Sequence, residues 1–492
     1  MSCIRYAEKA PNEPIWGNAM EADARSVLRS LLTALDLPLE TIDRNIRLVG
    51  RDPVVPSRYR VGVASACALA AQAVGIIEIW KQRGGRDQTV TIDLRRAAVP
   101  GLRTISHTRR GGHRLQVPWP ASERQVFFPT SDGRLIYLMR HAVYYQHLSK
   151  LLAFLDCSPD SASIARAVSR WNAAALEDAL AERKLMGTIV RTFDEWRASP
   201  QGRHLETRLP VEIERIGDGD PVPFTPAARP LSGIRVIDMA HVLAGPVTTR
   251  VMAEQGADVI HVSAPYQPDP AHVVIDTGFG KRSAFVDLER PEDVAALYRM
   301  IDDADIFAHS WRPGSLDRRG LSPAELAQRR PGLIYVSVSC YGYDGPWATR
   351  AGYDPLGQVA SGLAAGEGSV DAPLMASTFT LNDYLAAYLA AAGTNSALLR
   401  RAREGGSYHV KVSLTGASVW LQTLGQLPRQ YWQDGAQGIA QLPDPAPDEL
   451  TTTVTPYGVI EHPLPIPQYS ETPSFWEIPP EPAGTSDPVW RM

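Results

Sequence analysis

Residues 234–339 repeat one pattern: a short apolar, β-branched run, then a stretch of helix length, then another such run. The runs are IRVIDM (234–239), DVIHVS (258–263), SAFVDL (283–288), DIFAHS (305–310) and LIYVSVS (333–339). Between several of them lie VTTRVMAEQG (247–256), which a glycine closes, then PEDVAALYRMIDD and SPAELAQRR. Continuous apolar runs of this length read as strands buried on both faces, and the intervening stretches read as helices. Strands in this alternation are joined by right-handed crossovers. The expected fold class is therefore α/β, a mostly parallel sheet covered by helices on both faces.

An open parallel sheet binds ligands beyond the carboxyl ends of its strands. That directs attention to four loops: AHVLAGP (240–246), SAPYQPDP (263–270), SWRPGSLDR (310–318) and SCYGYDGPW (339–347). The first reads HVLAGP where a dinucleotide site would want G-x-G-x-x-G, and the chain has no P-loop. The loops carry cations instead. Lys281 and Arg282 are expected just before the third strand, and Arg312 and Arg318 follow the fourth. Guanidinium forks and a lysine ammonium suit phosphate oxygens, so four cations at one sheet edge suggest a polyphosphate ligand. A solvated rim is the competing reading for each residue alone. His241, after the first strand, reads as a structural hydrogen-bond partner or a ligand contact before it reads as a base.

Composition narrows the function classes. The 492 residues are 44% apolar and 21% charged, with a formal charge of -4. This is ordinary for a globular chain of two to four domains, and nothing in it points to nucleic acid. Cys3, Cys67, Cys157 and Cys340 form no C-x-x-C pair or metal-ligand spacing, so free thiols and no metal site are expected. The start MSCIRYAEKAPNEP lacks the apolar core of a signal peptide. Ala64–Ile77 is too short and alanine-rich to span a bilayer and reads as a buried helix. A cytoplasmic location without membrane attachment is expected.

The chain divides by pattern into 1–217, a Gly/Pro/Asp-rich linker at 218–231, a domain at 232–425 and a proline-rich extended tail at 426–492. An internal echo links ACALAAQAVGIIEIWKQRGGRDQTVTIDLRRAA (66–98) with YLAAYLAAAGTNSALLRRAREGGSYHVKVSLTGAS (384–418). Each is an alanine-rich helix, a basic helical end, Gly-Gly and an alternating strand. Residues 130–205 read as a small α+β domain. The tail, dense in proline, is expected to run extended, pinned by Trp476 and Trp490.

The stretch AGYDPLGQVASG (351–362) places one aspartate before a proline at the start of a helix. On spacing alone Asp354 reads as an N-cap with proline at N1. A second role is compatible with the first. The positive end of the helix dipole favours an ionised carboxylate there, Gly352 and Gly357 would leave room for a substrate, and such a carboxylate can attack an activated acyl group.

The motifs PLSGIRVIDMAHVLAGPVTTRVMAEQGADVIHV, GKRSAFVDL, WRPGSLDRRGLSPAEL, RPGLIYVSVSCYGYDGPW and AGYDPLGQVASGL, in this order, resemble the class III CoA-transferases. This CaiB/BaiF family includes formyl-CoA and carnitine CoA-transferases and the α-methylacyl-CoA racemases. The resemblance runs from about Pro230 to Val419. Residues 60–100, 130–205 and 455–492 resemble other segments of the same family, so the order is that of a rearranged, truncated tandem with one site per chain. The resemblance implies a Rossmann-like sheet plus a smaller α+β domain. It also implies transfer of CoA between an acyl-CoA donor and a carboxylic acid acceptor, through an acyl-aspartyl anhydride and an aspartyl-CoA thioester. It implies CoA contacts, a homodimer, and no metal or permanently bound cofactor.

Residue by residue, the resemblance gives Asp354 as the nucleophile. CoA contacts fall on His241, Val242, Leu243, Ala244, Lys281, Arg282, Arg312 and Arg318, and Trp311 is placed to stack on adenine. The glycines of YGYDGPW (341–347) are expected to offer amides to an oxyanion. The family's V-I-K-V-E is VIHVS here, with His261 and Ser263, and Cys340 replaces a glycine. Two other outcomes stay open: a racemase or epimerase, which needs an acid/base pair flanking Cα, and a non-catalytic acyl-CoA-binding fusion.

Overall fold

The computed structural model describes residues 23–115, 126–140, 146–431 and 441–491. The alanine-rich segment of the first half forms helix α1 (Val61–Gln82). Apolar all round, it is long enough to cross a membrane, yet it is almost wholly buried inside the protein. An all-apolar helix must be enclosed on every side.

The central sheet has seven strands. In chain order these are β1 (Val211–Gly217), β2 (Arg235–Met239), β3 (Asp258–Ser263), β4 (Lys281–Phe285), β5 (Ile306–His309), β6 (Ile334–Ser339) and β7 (Ser407–Ser413). Their spatial order is β4-β3-β2-β5-β6-β7-β1, parallel except for the antiparallel edge strand β1. The chain winds outward from β2 to β4, then restarts on the other side at β5. The point of reversal lies between β2 and β5, where the crevice of a doubly wound sheet opens.

Helix α2 (Ala244–Ala253) follows β2, α3 (Asp354–Ala360) follows the loop after β6, and α4 (Leu381–Glu404) leads into β7 and α5 (Leu414–Thr423). Helices α1 and α4 lie side by side. A Cβ at Gly75 would fall 2.5 Å from the Asn395 side chain, so glycine there allows the close approach. The Asn395 amide then donates to the Gln72 carbonyl at 3.1 Å.

The two echoed segments adopt the same succession. Val61–Gln82, Val90–Asp93 and Leu94–Ala98 match Leu381–Glu404, Ser407–Ser413 and Leu414–Thr423 in helix, strand and helix. One continuous core runs through both, from Val74 and Ile77 to Ala386 and Leu389. The linker is fastened to α1: Arg83 donates to the carbonyls of Pro230 and Ser232, each at 2.7 Å. In the first half, Phe127–Pro129, Leu135–Leu138 and Gly187–Ile189 form an antiparallel sheet. With its helices this small unit has its own core around Phe128, Ile136, Leu151 and Leu180.

Two expectations need correction. The third central strand begins at Lys281, not Ser283, so Lys281 and Arg282 lie within the sheet rather than in a loop before it. The segment expected as an extended tail contains a β-hairpin, Leu450–Thr455 with Gly458–Pro463, whose second strand also pairs with Arg109–Arg110. A run of β-branched residues, Thr451–Thr455, facing Val459 and Ile460 favours that pairing despite the surrounding prolines. Beyond it the chain runs extended and is pinned as expected. Trp476 donates its indole N–H to the Arg250 carbonyl at 3.3 Å, and Trp490 donates to that of Met300 at 3.0 Å.

Candidate active site

A cleft of about 260 Å³ opens at the point of reversal. The loop after β2 contributes His241, Val242, Leu243 and Ala244, and the loop after β5 contributes Ser310, Trp311 and Arg312. Ser339, Cys340, Gly352 and Tyr353 line it from the β6 side, Asp383 from the start of α4, and Met186 from the first half. The sequence-derived residues at 241–244 and 311–312 therefore converge. A larger cavity of about 600 Å³, lined by Trp196, Leu205, Gly342, Lys411 and Trp420, contains none of them. Convergence of the strand-end loops outweighs volume in choosing between the two.

The loop after β2 is held in a strained form. Val242 has φ 66°, the left-handed region that a β-branched residue rarely enters. The N–H of His241 donates to Ser310 Oγ at 2.8 Å, and that of Val242 donates to Asp269 Oδ2 at 2.9 Å. The His241 ring also pairs with Asp269, Nδ1 to Oδ1 3.7 Å. Trp311 and His241 meet edge to face, with ring centroids 5.1 Å apart, and the Trp311 indole N–H donates to the Met239 carbonyl at 3.1 Å. Its indole is thus fixed as part of the cleft wall.

Asp354 is the first residue of α3, and Tyr353 occupies the cap position. The carboxylate makes no cap of its own helix. Its Oδ2 accepts the Asp383 backbone N–H at 2.9 Å, and the Asn382 N–H also contributes. These are free donors of the first turn of α4, so Asp354 caps α4 from outside. Oδ1 accepts from the Gln358 amide one turn along, which also donates to the Phe379 carbonyl at 2.6 Å. Asp354 is 1% exposed. Burial pushes it up to about 7 against the pull of these donors. The expectation of a fully ionised group at neutral pH is corrected: desolvation outweighs the helix end. Asp383 is also raised well above the usual carboxylate range, by burial and then by the charge of Asp354.

The neighbouring glycines serve packing. A Cβ at Gly352 would fall 2.5 Å from Cys340 Sγ, and one at Gly357 3.2 Å from the Asn382 amide. The room expected for substrate is filled by protein. The Cys340 thiol, raised well above its ordinary range by burial, is inert packing. The glycines of YGYDGPW (341–347) also turn away from the cleft. Gln201 of helix Pro200–Glu206 donates to the carbonyls of Tyr341 (2.6 Å) and Asp344 (3.1 Å) and accepts from the Trp347 N–H at 2.9 Å. That loop docks on the first half, so its expected oxyanion role is not met.

The cation set also divides. Lys281 is 2% exposed, and its ammonium donates to Asp238 Oδ2 at 2.8 Å and to the Pro246 carbonyl at 2.6 Å. Lys281 and His261 together hold Asp238 far below the usual carboxylate range. Arg282 pairs with Asp258 at 3.1 Å and with the Val489 carbonyl at 2.6 Å. The expected phosphate role of these two is corrected: their strand position commits them to partners within the protein. Arg318 is exposed and lies outside the cleft lining. Arg312 is the cation left on the rim among the described lining residues.

Asp383 and Met186 escape a sequence reading. Asp383 sits in TLNDY before the alanine-rich helix, where a first-turn acid needs no further explanation. The Asp354/Gln358 pair is legible as an i,i+4 couple. Nothing in the sequence signals Met186.

The family model for CoA-transferase family III matches residues 231–448. Over 293 residues the chain is 31% identical to an acetyl-coenzyme A transferase of Hypoxylon pulicicidum, covering 55% of this chain and 49% of that one. It is 31% identical over 239 residues to a probable fatty acyl-CoA transferase of Mycobacterium tuberculosis, covering 46% and 60%. A crystal structure of a CaiB/BaiF family protein from Brucella suis aligns at 26% identity and TM-score 0.38, covering 47% of this chain and 65% of that one. The chain thus spans about half to three-fifths of these curated relatives' length. The match to the family model is confined to residues 231–448, a little under half of the chain.

Proposed function

We propose that the protein moves CoA between carboxylic acids, with Asp354 as the acyl-accepting nucleophile. One observation carries this reading: a carboxylate held by the mouth of α4 lies directly behind a cleft built from the strand-end loops of β2 and β5. The carboxylate attacks the thioester carbonyl to give an acyl-aspartyl anhydride and CoA thiolate. Sulfur then attacks the aspartyl carbonyl and releases the first acid. An incoming carboxylate reverses the sequence and leaves as the new thioester. In the structure Gln358 covers Oδ1, so attack requires that amide to swing aside. Burial excludes water from the anhydride. Arg312 at the rim is the residue for CoA phosphate, and Trp311 and the 241–244 loop form the wall along which pantetheine would lie.

The test is a panel of acyl-CoAs crossed with a panel of free acids, read by mass spectrometry. Hydroxylamine added after acyl-CoA should modify Asp354, visible as a mass change on its peptide. Transfer that persists unchanged in Asp354→Asn would falsify the proposal. A second reading is favoured by the carboxyl of Asp383 and the ring of His241 both lining the cleft, as an acid/base pair for epimerisation at Cα would. Deuterium incorporation at Cα without any acceptor acid selects it.

A further inference from the structure

We propose that Asp383 is the proton donor to the departing CoA thiolate. The inference rests on the transferase reading above and adds a second carboxyl to it. The backbone N–H of Asp383 fastens Asp354 at 2.9 Å, so one residue anchors the nucleophile and also lines the cleft. Asp383 is 8% exposed, and among the described residues no side chain or backbone group hydrogen-bonds its carboxyl oxygens. A buried carboxylate without donors is expensive, whereas the neutral acid is tolerated there and keeps one O–H to give.

The groups facing it reinforce that state. Asp354 at the start of α3 is the charge that acts on it. Cys340, after β6, and Tyr353, before α3, are near enough for Asp383 to raise them in turn, and both stay neutral. His241 and Arg312 line the same cleft, but the first is paired with Asp269 and the second sits exposed at the rim. Asp383 has no cation as partner among the described residues.

The proton is released when the chemistry needs it. In the first step a C–O bond forms between Asp354 and the acyl carbon, the C–S bond breaks, and its electron pair leaves on sulfur. The negative charge of Asp354 is thereby spent. Burial and the neighbouring like charge both favour the neutral acid, and loss of the second makes Asp383 a stronger acid at that moment. Its proton passes to the thiolate, giving CoA thiol and an Asp383 carboxylate. When sulfur attacks the aspartyl carbonyl, the proton returns to Asp383 and the first acid departs as its carboxylate. One negative charge is conserved throughout, and no co-reactant is required.

The experiment follows thiol release in a single turnover of the full chain, with a panel of acetyl-, propionyl-, succinyl- and fatty acyl-CoA. The S-phenyl thioester of the best donor's acid is run beside it, because an aryl thiolate leaves without a proton. Asp383→Asn keeps the backbone N–H that holds Asp354. It should slow release from the CoA ester about 10²-fold or more and leave the phenyl ester within about twofold of wild type. Equal slowing of both esters, or of neither, overturns the proposal. Should Asp383→Asn not fold, the wild type alone decides: the CoA-ester rate should fall relative to the phenyl-ester rate as pH rises, and a pH-independent ratio overturns the proposal. Asp354→Asn separates the two readings. If it is inactive while Asp383→Asn is unimpaired, only the proton-donor role fails. If it is active, or if no CoA ester releases thiol, the transferase reading fails and the donor role with it.

Discussion

The Asp383 backbone N–H donates to Asp354 Oδ2 at 2.9 Å, so the candidate nucleophile doubles as a cap on a helix that is not its own. Loss of the carboxylate therefore has separable chemical and structural effects. Asp354→Asn keeps an acceptor oxygen for α4 and should abolish transfer with little change in folding. Asp354→Ala should abolish transfer and also cost about 0.5–2 kcal/mol, the usual range for a lost cap. Urea denaturation of both variants beside the transfer assay checks the pair.

Gln358 should control when Asp354 is ionised. Its amide favours the charged carboxylate, donates to the Phe379 carbonyl and accepts the Ala376 N–H at 2.8 Å. Gln358→Ala removes a stabiliser of the anion and strands two buried backbone groups. The expected outcome is an upward shift in the acidic limb of the pH–rate profile, with a stability loss of about 1–3 kcal/mol.

Burial of the two carboxyls should give stability a characteristic pH dependence. Both have folded-state pKa values above the unfolded 3.8, Asp354 at about 7 and Asp383 well above 3.8. In that window the folded state holds more protons than the unfolded one, so stability falls as pH rises. The contribution is complete below about 4 and, for Asp354, is lost as pH passes through about 7. Urea midpoints measured from about pH 4 to about pH 8 should fall less steeply in Asp354→Asn than in wild type. A parallel decline in both would count against the assigned burial.

Lys281 and Arg312 should behave oppositely although both were expected at phosphate. Lys281→Ala removes the ammonium from the buried Asp238 and leaves it to His261 and the Thr249 hydroxyl, with an expected cost of about 3–5 kcal/mol. Arg312→Ala, at an exposed position, should leave melting unchanged within about 0.5 kcal/mol while raising KM for the acyl-CoA. Thermal melts and steady-state kinetics on both variants separate a structural ammonium from a ligand-binding guanidinium.

Much of the sheet was legible because apolar β-branched runs flanked by helices admit few alternatives. DVIHVS forms a strand over all six expected residues. The 240–246 and 310–318 loops were placed correctly because strand-end loops at a point of reversal must converge. The misplaced start of β4 had larger consequences, since a two-residue error moved Lys281 and Arg282 from solvent to interior. Charge is a poor guide there, because a buried Lys–Asp pair looks in sequence like two surface residues. Asp383 was hidden for the opposite reason: an acid in the first turn of a helix is so ordinary that its second property, facing a cleft, leaves no trace. The hairpin at 450–463 was masked by the prolines around it.

Helix α1 is apolar around its whole circumference and lies against α4, while Gln201 grips the loop beyond β6 from the other half. Cutting the chain in the linker would thus not yield two independent modules. Each fragment would expose a greasy column made to be enclosed by the other, and the catalytic floor would assemble only when both were produced together. A lesion in the first 217 residues should therefore be able to silence a candidate site whose proposed nucleophile lies at position 354.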